Sequence, residues 1–311
     1  MRSGASGAPW PSVWVVVVHW AGIDDTVECL ASLSRVDYPY LAVVLVDNGS
    51  SDFEETRVRQ AFTKVQIITS DENLGFAGGS NLGITKALRE GAGLIMLLNN
   101  DTVVRSDLFL SLLPALQAQD VGIVGPTITY YAAPGRIWFA GGTYSRLLGY
   151  TRHPLMDEQL HRPYENRRVD YITGCALLAK REVFEAVGML GEGFFLYFED
   201  ADFCLRAAKA RYRSVVVGET LVRHKVSASA GIRGTNRLSP EKAYYYGRNP
   251  ILLLRRNVSG PYAVTGTLGQ FAVRLPFYVL RCIAARDMKS LCSYLAGMRD
   301  GILGRSGKKP T

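Results

Sequence analysis

The feature of this sequence that most limits its fold is a series of short apolar runs that end abruptly in polar residues. The clearest extends from Leu94 to Leu98 and continues as Asn99-Asn-Asp101. A short apolar run of this kind is typical of a strand buried in a parallel sheet. Three further strands are predicted at Trp14–His19, Leu41–Val46 and Gln66–Thr69.

Helical patterns separate these strands. Asp25 and Glu28 have the spacing of a capping box, and Asp52 can cap a second helix. Ser80 can cap a third helix, which would run toward Arg89. Alternation of strands and helices predicts an α/β fold with a doubly wound, mainly parallel sheet. The polar residues after the strands would then meet at one edge, where open α/β sheets bind their ligands.

The later part of the chain is less regular. Three more strands are predicted at Gly122–Gly125, Tyr171–Ala179 and Ser214–Val217. Residues 126–170 are expected to be irregular and to form a lid or an acceptor surface. Ser239-Pro240 is a helix start, and Pro250 is expected to interrupt that helix.

Composition limits the partners and the compartment. The chain has 311 residues with a formal net charge of +8, which favours phosphorylated small molecules, nucleic acid or an anionic membrane surface. Because no nucleic-acid-binding motif is evident, nucleic acid is the weakest of the three. The five cysteines form no CxxC pair, which indicates a reduced, cytoplasmic chain without disulfides.

The division predicted from these patterns has three parts. Residues 1–12 would be a flexible leader, residues 13–249 the main domain and residues 250–311 a basic, amphipathic helical region. Phe271–Ala285 is apolar but contains Arg274, Pro276 and Arg281, and is therefore a poor membrane span. It would either lie on a membrane surface or consist of helices packed on the main domain.

Asp101 is the first candidate for chemistry. A carboxylate beside Asn99 suits Mg²⁺ or Mn²⁺, which typically bind through one or two carboxylates together with substrate phosphates. The alternative is that these residues only terminate a strand.

Several polar stretches occur in a fixed order, and together they resemble the inverting glycosyltransferases of family 2, which have the GT-A fold. Among them the pattern is most similar to bacterial rhamnosyltransferase-like members. The resemblance spans Trp14 to Asn249, and its motifs are His19-Trp20, Asp47-Asn-Gly-Ser-Ser-Asp52, Glu72–Asn81, Asn99-Asn-Asp101, Glu199-Asp-Ala-Asp202 and His224.

The resemblance implies a nucleoside-diphosphate sugar as donor. Asp47 would meet the nucleotide base, although Asp-Asn-Gly-Ser is also a good turn sequence. The glycine-rich stretch after Asn73 would lie as a loop along the nucleotide, since glycine allows close backbone approach. The implied donor-binding residues are His19, Asp47, Asn48, Asn73, Gly75, Gly79, Asn81 and Asn100.

The resemblance also implies a divalent metal, Mn²⁺ or Mg²⁺, at the donor diphosphate. Asp101 matches the last Asp of the family's Asp-x-Asp motif, and His224 would be a further ligand. Asn99 stands at the first position, which departs from the motif and would weaken metal binding. Ser227, Ser229 and Arg248 would contact the diphosphate, with a surface position as the alternative for Arg248.

Asp200 matches the family's general base, which would take the proton of the acceptor hydroxyl. Glu199 is the competing candidate, and its proximity would raise the pKa of one of the two carboxyls. Without the resemblance, the stretch from Glu199 to Asp202 would be an acidic helix N-terminus stabilised by the helix dipole.

The function implied is transfer of a sugar, with rhamnose as the leading donor, to a glycan or a lipid-linked acceptor. A nucleotidyltransferase is a second hypothesis, although its usual glycine-rich basic signature near the first strand is absent. A non-catalytic protein that binds sugar nucleotides is a third, motivated by Asn99. The protein would be cytoplasmic, with contact to the inner membrane face through residues 250–311 left open.

Overall fold

The computed structural model describes residues 10–160, 163–226 and 239–310. The strands are β1 (Val13–His19), β2 (Leu41–Asn48), β3 (Gln66–Ser70), β4 (Leu94–Asn99), β5 (Thr102–Val104), β6 (Val121–Tyr130), β7 (Ile137–Phe139), β8 (Thr143–Ser145), β9 (Tyr150–Arg152), β10 (Arg167–Val169), β11 (Ala176–Lys180) and β12 (Arg213–His224). The α-helices are α1 (Ile23–Leu33), α2 (Glu55–Ala61), α3 (Gly75–Arg89), α4 (Leu108–Leu112), α5 (Arg181–Val187), α6 (Glu199–Lys209), α7 (Pro240–Asn257), α8 (Pro261–Gly269), α9 (Leu275–Ala284) and α10 (Met288–Ile302).

A ten-stranded sheet forms the centre of the described fold. Its order is β10-β12-β6-β11-β4-β1-β2-β3, with β5 paired to β12 and β7 paired to β6. Strands β4, β1, β2 and β3 are parallel, as the apolar runs predict, whereas β11 lies antiparallel between β4 and β6. The predicted α/β class, with helices flanking a central sheet and a helical C-terminal region, is confirmed.

The polar residues after the parallel strands lie at one edge of the sheet. His19 at the end of β1 is in register with Asp47 of β2, and Val18 is in register with Asn99 of β4. The valine-rich and leucine-rich bodies of these strands are buried in the main core. The predicted convergence of the three polar segments is therefore present in the fold.

Three helix starts differ from the prediction. Helix α1 begins at Ile23 after Gly22, so Asp25 and Glu28 do not form its capping box. Helix α2 begins at Glu55 after Glu54, so Asp52 does not cap it. The Asp52 carboxylate instead accepts the backbone N–H groups of Gly22 (2.9 Å) and Ile23 (3.1 Å), at the start of α1. A cap from another part of the chain satisfies free N–H groups as well as a local one, but leaves no local sequence pattern.

The glycine-rich stretch is helical from Gly75 onward, so the predicted loop there and the predicted helix start at Ser80 were wrong. Helix α3 begins at Gly75 and includes Gly78, Gly79 and Gly83. A Cβ on Gly79 would lie 2.9 Å from Val18 Cγ1, and one on Gly83 would lie 2.3 Å from Val16 Cγ1. These two glycines therefore allow the helix to pack closely against β1, which offsets their low helix propensity.

The chain after residue 120 is more regular than predicted. Strand β6 continues to Tyr130 and β12 to His224, and the region 126–170, predicted to be irregular, contains four short strands, β7 to β10. Each of the four is three residues long, too short to show a clear alternation of apolar and polar residues.

Helix α7 continues through Pro250, so the predicted interruption was wrong. A proline cannot donate to the carbonyl four residues earlier, here that of Tyr246. The Arg274 guanidinium donates to this carbonyl instead (3.2 Å), which compensates for the missing bond. The predicted boundary between residues 249 and 250 therefore falls inside a helix.

Helices α7 and α10 cross closely through glycine. A Cβ on Gly247 would lie 2.2 Å from the Tyr294 carbonyl oxygen, and one on Gly297 would lie 2.0 Å from that of Tyr244. All five cysteines are free thiols. None of the helices in the described ranges combines the length and the apolar character needed to cross a membrane.

Candidate active site

The centre of the candidate site is a pair formed by Asp101 and His224. Asp101 lies in the two-residue turn between β4 and β5, and His224 ends β12, where it is in register with Thr102. His224 Nε2 lies 3.0 Å from Asp101 Oδ1, and both side chains are about 95% buried. Two residues far apart in the sequence are thus held in contact by strand pairing.

His224 is buried beside an aromatic side chain. The Trp138 ring meets it edge-on, with centroids 4.2 Å apart, and His224 Nδ1 has no hydrogen-bond partner among the described residues. Burial alone would lower the pKa of His224, but the facing Asp101 carboxylate raises it well above the usual value.

The pair has the donor atoms that a divalent cation needs. A carboxylate oxygen and the nitrogen of a neutral imidazole both suit Mn²⁺, so a cation held between them would take the place of the proton on His224 Nε2. No group of three or more His, Cys, Asp or Glu side chains able to hold a metal occurs within the described residues. A cation here would therefore need oxygen ligands from a substrate, as Mg²⁺ and Mn²⁺ sites on phosphates commonly have.

Asp200 lies at the same edge of the sheet. Its Oδ2 accepts the N–H of Gly174 (2.9 Å), while the next residue, Cys175, accepts the N–H of Asn99 through its carbonyl (3.0 Å). Asp200 is therefore joined to the end of β4, two residues before Asp101, by a single short segment. Burial raises the pKa of Asp200, and its hydrogen bonds from Gly174 and Ala201 oppose that rise.

Glu199 has a different environment from its neighbour. Its side chain is buried, and its Oε2 has no partner among the described residues. Burial and then the Asp200 carboxylate raise the pKa of Glu199 well above the usual value, in the direction predicted from the proximity of the two carboxyls. A neutral, buried acid is poorly suited to accept a proton from an alcohol.

The segment before Asp200 is conformationally strained. Phe195 (φ 64°), Tyr197 (φ 68°) and Phe198 (φ 74°) all have left-handed backbone conformations, which non-glycine residues rarely adopt. Asn249 holds this segment by donating to the carbonyls of Leu196 (2.8 Å) and Tyr197 (2.8 Å). Strain of this kind persists only where surrounding contacts enforce it, and it is often found at functional sites.

Arg248 also holds the backbone near this strained segment. The side chain is fully buried, and its guanidinium donates to the carbonyls of Gly193 (3.2 Å), Phe194 (2.8 Å) and Gly307 (2.6 Å). The surface alternative was wrong, because the side chain is buried. A diphosphate contact of Arg248 stays a prediction, and these contacts with backbone carbonyls give it no support. Ser227 and Ser229, the other two predicted diphosphate contacts, lie outside the described residues.

His19 and Asn100 are bound to one threonine. His19 Nδ1 lies 2.8 Å from Thr26 Oγ1 and its Nε2 lies 3.1 Å from Asp52, while Asn100 Nδ2 donates to Thr26 Oγ1 (2.9 Å). Burial lowers the pKa of His19. Both side chains shape the edge of the sheet by fixing the start of α1.

Asp47 makes the turn contacts that the sequence offers as the alternative to base binding. Its Oδ1 accepts both the N–H (3.1 Å) and the hydroxyl (2.7 Å) of Ser50. Asn48 is bonded to Asn73 (3.3 Å) and, through its Oδ1, to the N–H of Leu74 (3.1 Å). Contact of these side chains with a nucleotide stays a prediction.

The remaining predicted donor residues have structural contacts. Gly75 has φ 73°, and a Cβ there would lie 2.3 Å from the Phe195 carbonyl oxygen, so it adjoins the strained segment. Gly79 packs on β1, and Asn81 is bonded through both ends of its amide to Leu190 (3.0 Å each). Asn81 therefore holds a loop behind the site.

Sequence reasoning did not single out two further residues, Lys242 and Trp138. Lys242 lies in the first turn of α7; burial lowers its pKa to about 8, and the Asp101 carboxylate acts in the opposite direction. Neither residue has a motif around it. The only sequence pointer to Lys242 is its place three residues after the Ser239 helix cap.

A mixed sheet of this order, with a carboxylate and a histidine at the carboxyl edge, defines a GT-A-like protein. The structure superposes on that of Staphylococcus aureus TarS residues 1–349 with UDP-GlcNAc, with a TM-score of 0.63, 14% identity and coverage of 94% and 81% of the two chains. It also superposes on mannosyltransferase PcManGT from Pyrobaculum calidifontis, a complex with GDP-Man and Mn²⁺, with a TM-score of 0.58, 14% identity and coverage of 95% and 88%.

Residues 14–188 match the model of glycosyl transferase family 2, and the chain belongs to this family. The chain is 29% identical to the N-acetylglucosaminyl-diphospho-decaprenol L-rhamnosyltransferase of Mycobacterium tuberculosis, over 70% of this chain and 77% of the relative. It is 26% identical to the dTDP-rhamnosyl transferase RfbF of Shigella flexneri, over 69% and 71%. It is also 26% identical to the low-salt glycan biosynthesis hexosyltransferase Agl10 of Haloferax volcanii, over 67% of this chain and 64% of that relative's length.

Proposed function

We propose that this protein is an inverting glycosyltransferase that moves a sugar from a nucleoside diphosphate to a hydroxyl of a glycan or a lipid-linked acceptor. The observation that carries the proposal is the position of a partly exposed Asp200 carboxylate at the sheet edge that also holds the Asp101–His224 pair. This edge of the sheet would place a general base, Asp200, near the Asp101–His224 pair, which would bind the charged leaving group.

Asp200 would accept the proton of the acceptor hydroxyl as its oxygen bonds to the anomeric carbon. The bond from that carbon to the diphosphate oxygen breaks, and its electron pair leaves with the nucleoside diphosphate. With a single base on the face opposite the leaving group, the product has inverted configuration. Glu199, being neutral, would not compete for the proton.

Asp101 and His224 would hold a divalent cation, Mn²⁺ or Mg²⁺. When bound, such a cation supplies charge neutralisation for the departing diphosphate. Lys242 would add a second positive charge in the same region, because its ammonium lies near enough to interact with Asp101. His19, Asp47 and Asn100 are proposed to border the nucleotide from the ends of β1, β2 and β4.

Rhamnose is the leading donor sugar, since two of the relatives are named rhamnosyltransferases. The mycobacterial relative's name includes a lipid diphosphate, which makes a lipid-linked glycan the leading acceptor. The C-terminal region would then face the membrane that carries the acceptor.

The decisive experiment compares Asp200→Asn with Glu199→Gln. Transfer from dTDP-rhamnose, UDP-GlcNAc or GDP-mannose is followed as nucleoside-diphosphate release in the presence of lipid-linked and soluble acceptors. Removing a general base is expected to lower kcat by about 10² to 10⁴. Asp200→Asn should show this loss with donor affinity retained in calorimetry, while Glu199→Gln keeps most of its activity. The reverse pattern would assign the base to Glu199.

A second measurement tests the cation site independently of turnover. Asp101→Asn and His224→Gln are expected to weaken donor binding in Mn²⁺ and to remove the difference between Mn²⁺ and EDTA. Donor binding that is equally tight with and without Mn²⁺ in the wild-type protein would exclude this role for the pair.

A further inference from the structure

The C-terminal helices expose large apolar side chains. Helices α8 and α9 are joined by a π-helical turn, Gln270–Arg274, into one rod that spans residues 261–284. The most exposed apolar side chains on the rod are Val264 (62%), Leu268 (61%), Phe277 (63%) and Leu280 (67%). An apolar surface of this kind on a folded protein usually marks an interaction site.

The side of the rod that packs on the protein has small residues. A Cβ on Gly269 would lie 2.4 Å from the Leu148 carbonyl oxygen, and one on Gly266 would lie 2.6 Å from Leu254 Cδ1. Gln270 donates to the carbonyl of Gly149. Helix α8 therefore approaches the protein through glycine and leaves its bulky residues Val264 and Leu268 exposed, the opposite of an ordinary surface helix. Helix α9 packs inward through Tyr278 and leaves Phe277 and Leu280 exposed.

A groove extends this surface onto α10. It has a volume of about 290 Å³, and its lining includes Phe271 from the rod together with Leu295, Ile302 and Leu303. Each of these four side chains is at least 40% exposed. The rod and α10 therefore present one continuous apolar surface, which we call the C-terminal face.

The charge of the chain is concentrated in the same region. Residues 250–311 contain ten Lys and Arg but two Asp and Glu, a difference of +8. The other residues contain 26 of each, so they carry no formal net charge. The whole formal charge of +8 is thus located in these C-terminal residues.

The two acidic residues of this region, Asp287 and Asp300, both lie outside the rod. Asp300 is buried and bonded to Tyr244 (2.8 Å), Arg299 (3.1 Å) and Arg305 (3.1 Å). Asp287 accepts the N–H of Ser290 (3.0 Å) and caps α10. Arg286 and Lys289 are exposed near the junction of α9 and α10.

We propose that the C-terminal face binds the surface of an anionic lipid bilayer. Apolar side chains beside basic ones are the combination that inserts into the boundary between headgroups and acyl chains, where each basic residue is attracted to anionic lipid. A protein partner would need its own matching apolar and acidic surface, whereas a bilayer supplies both. This inference does not depend on the proposed sugar transfer.

Vesicle sedimentation of the full-length protein tests the proposal. Wild-type protein is expected to sediment with vesicles of phosphatidylcholine and phosphatidylglycerol at low salt, and much less with phosphatidylcholine alone. Phe277→Ser with Leu280→Ser should lower the bound fraction at least about tenfold. Arg286→Asn with Lys289→Glu should lower it on anionic vesicles only, and raised salt should have the same effect.

The matched control is Leu110→Ser with Lys64→Glu. Leu110 is 40% exposed on α4, and Lys64 is exposed in the turn before β3, so both lie outside the C-terminal face. This variant is expected to bind vesicles as the wild type does. Circular dichroism and thermal unfolding of each variant establish that it is folded.

Two outcomes would overturn the proposal. One is wild-type protein that transfers sugar yet does not sediment with anionic vesicles, which would leave the proposed function intact. The other is a lipid-free dimer in analytical ultracentrifugation that Phe277→Ser with Leu280→Ser converts to monomer without changing vesicle binding. That result would assign the face to a second copy of the chain.

Discussion

Two adjacent carboxyls, Asp200 and Glu199, have opposite environments. Asp200 is partly exposed and accepts backbone N–H groups from Gly174 and Ala201, whereas Glu199 Oε2 is buried with no partner in the part of the chain that the structure describes. Hydrogen bonds to an ionised carboxylate stabilise its charge, and burial without them favours the neutral acid. The two carboxyls thus differ in solvation and hydrogen bonding because they project from different sides of the first turn of α6.

The raised pKa of Asp200 predicts the acid limb of activity. A general base must be ionised, so kcat/KM should rise with pH through the pKa of Asp200 and level off above it. Because burial raises that pKa, the limb is expected at higher pH than for an exposed Asp. The measurement is kcat/KM from about pH 4 to 9. Glu199→Gln should leave the limb in place, and a limb that disappears in Glu199→Gln would contradict the assignment.

Glu199 predicts an effect on stability with a definite sign. Its folded pKa is raised well above the unfolded value of about 4.3, so between these values the folded state binds the extra proton. Wild-type stability should therefore fall with rising pH across this window, by up to about 1.4 kcal/mol per pH unit.

Glu199→Gln removes this titration while keeping the size of the side chain. Its free energy of unfolding, measured in urea at several pH values, should exceed that of the wild type by an amount that grows from pH 5 toward neutral pH. A difference that stays constant with pH would mean that Glu199 is ionised in the folded protein.

At the scale of elements, the parallel strands could be predicted, but the glycine-rich start of helix α3 could not. The runs at Leu41–Val46 and Leu94–Leu98 have the length and polar ends of buried strands, and β2 and β4 extend each by one or two residues. The helix toward Arg89 was predicted, but its first part, from Gly75, was taken for a loop because glycine has low helix propensity. Only the contacts of α3 with β1 and β2 explain its glycines. Sequence alone does not contain those contacts.

The close packing of α3 gives a stability prediction. Gly83→Ala places a Cβ 2.3 Å from Val16 Cγ1 in the core and should destabilise the fold by about 1 to 3 kcal/mol. Gly78→Ala in the same helix meets Leu74 Cβ (2.8 Å) at the helix start and no atom of β1, so its loss should be smaller. Urea unfolding of both variants tests this, and equal losses would show that α3 does not depend on close contact with β1.

Across the whole molecule, the candidate site could be predicted residue by residue only in part. The motif order identified Asp101, His224 and Asp200, which the fold brings to one edge of the sheet. An arginine that binds a phosphate and an arginine that holds buried backbone carbonyls look the same in a sequence. The sequence therefore could not show which of these two roles Arg248 has. Only burial and three backbone acceptors distinguish the two roles.

Arg248 and Asn249 connect the C-terminal region to the strained segment before Asp200. From α7, Arg248 reaches Gly307 near the C-terminus on one side and Gly193 and Phe194 on the other. Asn249 holds the carbonyls of Leu196 and Tyr197, just before Glu199. We therefore expect the C-terminal helices to contribute to the position of Asp200 as well as to the surface of the protein.

Arg248→Lys tests this connection. A lysine ammonium cannot reproduce the planar set of donors, so the carbonyls of Gly193 and Gly307 would lose their partner. We expect a loss of about 2 to 4 kcal/mol in the free energy of unfolding and a lower kcat, with donor affinity unchanged.

Arg255→Lys is the matched control, since Arg255 is exposed on the same helix and also donates to backbone carbonyls. It should change the free energy of unfolding, kcat and donor affinity little. A variant Arg248→Lys that unfolds like the wild type but binds donor poorly would return Arg248 to the diphosphate and break the proposed link between the C-terminal region and Asp200.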